Sequence, residues 1–265
     1  MSSYRFALRP KWILSHVLIV LLVVVMVNLG FWQLRRLHEK QAANRAVVAN
    51  TARPEVAVGD ILRPGDDFAA GSASAFRRVT ATGVYDVTNE VVVRARSLNE
   101  HPGVWVLTPL RLPDGTALIV NRGFLPTAGT PDAVPADAEP PAGTVTVHGL
   151  VQATETHGTF GATDPADGRL FDLARADIAR IAKQTGYPLF PAYLQLKASE
   201  PTQAGSFPTP LPDPTLDEGP HLSYAIQWFL FSTIAVVGYP LILRRRARNG
   251  DETPVDEDDE PLVSA

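Results

Sequence analysis

The chain has 265 residues, 45% of them hydrophobic and 20% charged, with no cysteine and a formal net charge of -4. Such a composition is that of an ordinary folded protein, and it excludes a disulfide framework, a thiolate metal site and a cysteine nucleophile. Seven acidic residues crowd between Asp251 and Glu260, so the remainder is close to neutral and, without a basic stripe, no nucleic acid is expected as a partner.

Residues 1–11 form a short basic N-terminus carrying Arg5, Arg9 and Lys11. An uncharged run of 23 residues, Trp12 to Leu34, follows, and about 20 helical residues suffice to cross a ~30 Å hydrocarbon core. The run exceeds the apolar segment of a signal peptide and no small-x-small cleavage site follows it, so an uncleaved transmembrane helix over 12–34 is expected. Eleven preceding residues are also too few for a mitochondrial transit peptide. Where this helix leaves the bilayer stand Gly30, Phe31, Trp32, Gln33 and Arg36. The glycine would admit another helix or a flat ligand close to the backbone; Trp, Gln and Arg there would equally serve as interfacial anchors.

Residues 35–200 show little helical periodicity and many short β-branched runs bounded by turn residues, which predicts an antiparallel sheet in a small barrel or sandwich. Strands are expected over Phe76–Tyr85, Glu90–Ser97, Val104–Leu110, Ala117–Arg122, Thr144–Val151 and Ala192–Lys197. Pro113, Asp114 and Gly115 mark a hairpin turn, since proline fixes φ and Asp-Gly tolerates positive φ. One helix is expected, capped by Asp172, carrying Leu173, Ile178 and Ile181 on one face, closed by Gly186 and covering an open side or edge of the sheet. Within this region Arg78 opens a strand, and Asn121, Arg122 and Gly123 stand where a strand ends. An Asn-Arg-Gly turn either exposes a guanidinium fork to a carboxylate or closes the hairpin structurally.

Six prolines between Pro201 and Pro220 predict a stiff linker over 201–220. A second uncharged run, Leu222 to Leu243, predicts a transmembrane helix over 221–243. Its entry carries His221, Tyr224, Ala225, Trp228 and Ser232 on one helical stripe. A neutral imidazole at such an interface is able to ligate haem iron; an aromatic belt with a chance histidine is the plainer reading. The tail over 244–265 is basic, then acidic, and expected to be disordered.

Lysine and arginine number seven beside the spans on the terminal side (Arg5, Arg9, Lys11, Arg244, Arg245, Arg246, Arg248) and four on the central side (Arg35, Arg36, Lys40, Arg45). Both termini are therefore expected in the cytoplasm and the β-rich domain on the far side, as a multi-pass protein. With 20 arginines to 4 lysines and abundant Ala, Pro and Gly, the composition suits a bacterial plasma membrane. The six histidines lack metal-site spacing, and no nucleophile elbow, phosphate loop, dinucleotide fingerprint or His-Glu-x-x-His helix occurs, so an enzyme is not expected.

The blocks Leu29, Gly30, Trp32, Gln33, Arg36, Lys40; Arg77, Arg78, Val79, Gly83; Pro109, Leu110; Val120, Asn121, Arg122, Gly123, Pro126; and His221, Leu222, Tyr224, Ala225, Gln227, Trp228, Phe229 resemble, in order, those of the Surfeit locus protein 1 family of cytochrome c oxidase assembly factors. The resemblance covers roughly residues 14–245. Glu39 and Phe124 depart from it, each standing where the family tends to have tryptophan. It implies a membrane-bound factor for assembly of respiratory complex IV, with cytochrome c oxidase subunits as partners. It further implies that haem a is received or presented at His221, the iron ligand, with Tyr224, Trp228, Trp32 and Gln33 nearby. The alternative it leaves is an accessory partner of the mature oxidase that carries no cofactor.

Overall fold

A computed structural model of the chain describes residues 4–158 and 161–249; of the tail expected to be disordered over 244–265, residues 244–249 are helical instead and the acidic part lies outside the described residues. The chain forms two units, one from its two ends, through Asn44 and from Leu216, and one from Arg45 to Thr215.

The first unit is a helical hairpin. Helix α1 (Pro10–Thr51) starts with proline at its first position, where a missing N–H costs nothing. It does not stop at Leu34: residues 35–51 are rich in Leu, Arg, Glu, Lys, Gln and Ala, all good helix formers, so the charges end the apolar run without ending the helix. At 42 residues α1 is about 63 Å long, twice the ~30 Å needed to span a bilayer. Helix α4 (His221–Asn249) runs antiparallel to it, and both are long and apolar enough to cross a membrane.

Among the described residues the second unit contains eight strands, β1 (Val56–Ala57), β2 (Arg78–Tyr85), β3 (Val91–Leu98), β4 (His101–Arg111), β5 (Ala117–Pro126), β6 (Thr144–Ala153), β7 (Asp172–Leu173) and β8 (Leu189–Glu200). Their spatial order is β1-β2-β6-β8-β5-β4-β3-β7, and a further pairing of β2 with β4 at Val84–Arg111 and Tyr85–Leu110 closes β2-β6-β8-β5-β4 into a five-stranded ring. The sheet is mixed rather than wholly antiparallel, because β1–β2, β3–β7 and β5–β8 run parallel. A single-sequence pattern identifies strands but not their partners, and the long crossover from β6 to β8 is what permits the parallel β5–β8 pair.

Burial explains the patterns. Strand β2 alternates, its Val79, Ala81 and Tyr85 joining Leu110, Val120, Val147, Phe190 and Leu194 in one core. The central strand β5 is buried on both faces over nine consecutive residues, because helix α3 (Ile178–Thr185) covers one part of the sheet through Ile178 and Ile181. The loop carrying Val134 and Ala138 covers another part, with Val92, Val104, Val106 and Leu125.

The helix begins later than the sequence suggests. Its cap is Asp177, whose carboxylate accepts from the Arg180 N–H at 3.0 Å, and Gly186 closes it at φ 70°. Asp172 and Leu173 instead extend the sheet beside β3, with Arg94 held to Asp172 at 2.6 Å; the edge strand claims them before the helix can. A second short helix, α2 (Phe68–Ala73), is capped by Asp67 and was not foreseen. The turn at Pro113–Gly115 forms as expected, with Gly115 at φ 85° and Asp114 accepting from the Thr116 N–H.

Candidate functional site

The two apolar helices pack through small residues and polar pairs. Gly30 lies under the ring of Phe229: a Cβ built at Gly30 would stand 2.7 Å from that ring, so glycine is what allows this approach. Phe31 meets Phe229 edge-on at 5.4 Å. On α4, Ala225 and Ser232 are buried beside this seam.

At the end of the seam His221 Nδ1 lies 2.8 Å from Gln33 Oε1. This contact engages Nδ1 and leaves Nε2 as the uncommitted ring nitrogen. A hydrogen bond of this kind on the far nitrogen is how ligating histidines are oriented. Among the described residues Nε2 has no partner, and Gly219 leaves space beside it, a Cβ there reaching only within 3.5 Å of the ring. One imidazole held through Nδ1 with its other nitrogen uncommitted fits a haem-iron ligand. Gln33 and His221 are therefore brought together, although 188 positions separate them. Trp32 and Tyr224 are about half exposed, and Trp228 packs edge-on against Phe231 at 6.4 Å. Arg36 pairs at 2.7 Å with Glu39 on its own helix and both remain largely exposed.

Toward the opposite end of the hairpin a second polar set occurs, in which Tyr239 Oη lies 2.6 Å from His16 Nδ1 and 2.9 Å from Ser15 Oγ. His16 Nε2 is taken by the Ala7 carbonyl oxygen at 3.2 Å, so both its nitrogens are engaged. It clasps the helices and has no nitrogen to offer a metal. Among the described residues no group of three or more His, Asp or Glu is placed to hold a metal ion.

In the β-rich unit Asn121, Arg122 and Gly123 are not a turn. They lie inside β5, where Val106 and Leu107 on β4 oppose Gly123 and Asn121 and leave Arg122 as the extra residue of a β-bulge. Such a bulge re-aims one side chain, here into the protein: Arg122 is 1% exposed. Its Nε donates to Thr108 Oγ1 at 2.8 Å, Nη1 to the Ala138 carbonyl at 2.7 Å and to Gln203 Oε1 at 3.0 Å, and Nη2 to Glu90 Oε2 at 2.8 Å. Thr108 also donates to Glu90 Oε2. The guanidinium is thus spent on internal partners, and the reading of an exposed fork is corrected. Gly123 sits at φ 138°, where an added Cβ would collide with the Thr209 carbonyl. Arg78 remains exposed at the start of β2.

Sequence reasoning missed Glu90, Thr108, His16 and Tyr239. Nothing in a linear pattern marks which carboxylate will meet Arg122. The His16–Tyr239 pair had one available signal: both are polar residues inside otherwise apolar runs.

Comparison with known proteins bears on both units. Residues 20–233 match the model of the SURF1 family. An uncharacterised SURF1-like protein of Mycobacterium tuberculosis is 31% identical across 97% of this chain and 94% of its own length. SURF1-like proteins of Monosiga brevicollis, 28% identical over 85% of this chain and 86% of theirs, and of Rickettsia conorii, 22% identical over 91% and 95%, also match.

Proposed function

The chain belongs to the SURF1 family, and on that footing we propose that it is a bacterial plasma-membrane protein that receives haem a at His221 and presents it to a cytochrome c oxidase core subunit during assembly. Family membership supports a general role in oxidase assembly. The haem step rests on one observation, the contact of His221 Nδ1 with Gln33 that leaves Nε2 uncommitted. Bound there, haem a would be cargo. The chain's own part would be to hold the imidazole through Gln33, and to offer Trp32, Tyr224 and Trp228 as aromatic surface.

The count of basic residues supports an orientation with both termini in the cytoplasm. The chain has no cysteine, so single cysteines introduced at Asp114 and at Ser3 report their sides of the membrane cleanly. A membrane-impermeant maleimide added to intact cells should label the first and spare the second; the reverse labelling refutes the orientation.

For the haem step, the protein is purified after co-expression with a haem a synthesis pathway. Wild type should carry the haem a absorption bands and His221→Ala should lose them. Gln33→Leu should retain them with affinity lowered about 10- to 100-fold, as for loss of a hydrogen bond behind a metal ligand. Equal haem a in wild type and His221→Ala removes His221 as the ligand.

A further inference from the structure

A cleft of about 580 Å³ opens in the β-rich unit beside the point where β2 meets β4. All of its lining residues belong to this unit, and it plays no part in the haem proposal. Its lining is mixed, and the apolar part comes from Val84 at the end of β2, Val87 in the following turn, Val134, Pro140 and Pro141 in the long loop before β6, and Phe171. Val84 and Val87 are 47% and 56% exposed, unusual for valines in a unit whose strands are otherwise well covered, and they extend the apolar wall beyond the cleft.

Its polar groups have unused capacity. Glu90 lines the cleft with its side chain 8% exposed, and both of its hydrogen bonds, from Arg122 and Thr108, fall on Oε2. Oε1 takes none. Tyr85 lies in the same lining, 8% exposed, and its hydroxyl makes no hydrogen bond within the protein. Leaving the buried Tyr85 hydroxyl unpaired costs about 1–3 kcal/mol, whereas Glu90 Oε1 stands open to the cleft and free to accept.

Charge selects the kind of group that fits. The Glu90 carboxylate is already neutralised by Arg122 at 2.8 Å, and the other two charged lining residues, Glu139 and Arg169, are exposed and of opposite sign. An ammonium would meet no net negative charge and a carboxylate would face Oε1. A neutral N–H satisfies that oxygen without either cost. A partly apolar lining with proline and phenylalanine, a neutral donor requirement and room for more than one side chain together describe a backbone segment with apolar side chains.

We propose that this cleft docks an extended, apolar, uncharged polypeptide segment of a partner protein, one of whose backbone N–H groups donates to Glu90 Oε1. The site goes beyond the haem reading and does not depend on it.

The test uses the full-length chain in detergent, titrated with N-acetyl-dileucine N-methylamide, its fully N-methylated counterpart and the same dipeptide amide with a free amino terminus, binding being read from chemical shifts of the cleft residues. The blocked amide should bind about tenfold tighter than the N-methylated probe, and tighter than the cation. His221→Ala should bind it unchanged, which separates this result from the fate of the haem proposal. Ala142→Trp, an exposed residue of the cleft lining, should abolish binding with the thermal midpoint kept; Val87→Asp serves the same purpose should the tryptophan unfold the chain. Equal binding of the amide and N-methylated probes, tighter binding of the cation, no binding of any probe, or binding unaffected by a folded cleft variant overturns the proposal.

Discussion

Arg122 shows how much one buried side chain organises. Its guanidinium joins β4 through Thr108, the loop before β6 through the Ala138 carbonyl, the segment after β8 through Gln203, and the start of β3 through Glu90. Two opposite charges removed from water are held tolerably only because nearly every donor is used. Arg122→Met should therefore cost about 3–5 kcal/mol, since it strands Glu90. The double variant Arg122→Met, Glu90→Leu should recover part of that loss, because no lone charge stays buried. Urea unfolding of the purified chain measures both; a double variant less stable than the single by the full cost of a second deletion would contradict the pairing. The Asn-Arg-Gly string was visible in the sequence, but its direction was not. A bulge displaces one residue relative to its partner strand, and that depends on β4, which lies elsewhere in the chain.

Among the elements, regular patterns were legible and junctions were not. Six strands could be placed from β-branched runs, and the Pro-Asp-Gly turn from its chemistry. Strand β4 starts at His101, three residues before Val104, because Asn99 and Glu100 make a two-residue turn with φ of 50° and 66°. Asn-Glu carries a weaker turn signal than Asn-Gly. The α3 start shifted from Asp172 to Asp177 for a tertiary reason, the capture of Asp172–Leu173 by the sheet edge. Positive-φ glycines also differ in what surrounds them. Gly115, at φ 85°, has nothing within 4 Å of an added Cβ, whereas Gly123 has the Thr209 backbone against it. Gly115→Ala should cost about 1–2 kcal/mol, the strain of a left-handed residue. Gly123→Ala should cost clearly more, since backbone must also move and the Phe124–Thr209 bridge would open. Thermal unfolding of the two variants compares them; equal losses would show that the close approach carries no weight.

At the scale of the whole molecule, the two-helix, one-domain plan was readable because apolar runs of this length have few other uses. Its boundary was not: α1 continues to Thr51 on helix propensity, which hydropathy does not report. The closed ring was anticipated only as one of two options, and its mixed strand order depends on long-range pairing with no local trace. The Gln33–His221 meeting was reachable from sequence through the resemblance, which named both residues. Geometry adds the 2.8 Å contact between them and shows which ring nitrogen makes it.

The proposed haem site predicts that oxidase assembly by this SURF1-family chain requires His221. Haem a content and oxidase activity are measured in membranes from a strain lacking the protein, complemented with wild type or His221→Ala at equal expression. Wild type should restore both, and His221→Ala should leave both near the deletion level. Undiminished oxidase and haem a in the deletion strain, or full rescue by His221→Ala, would contradict the account.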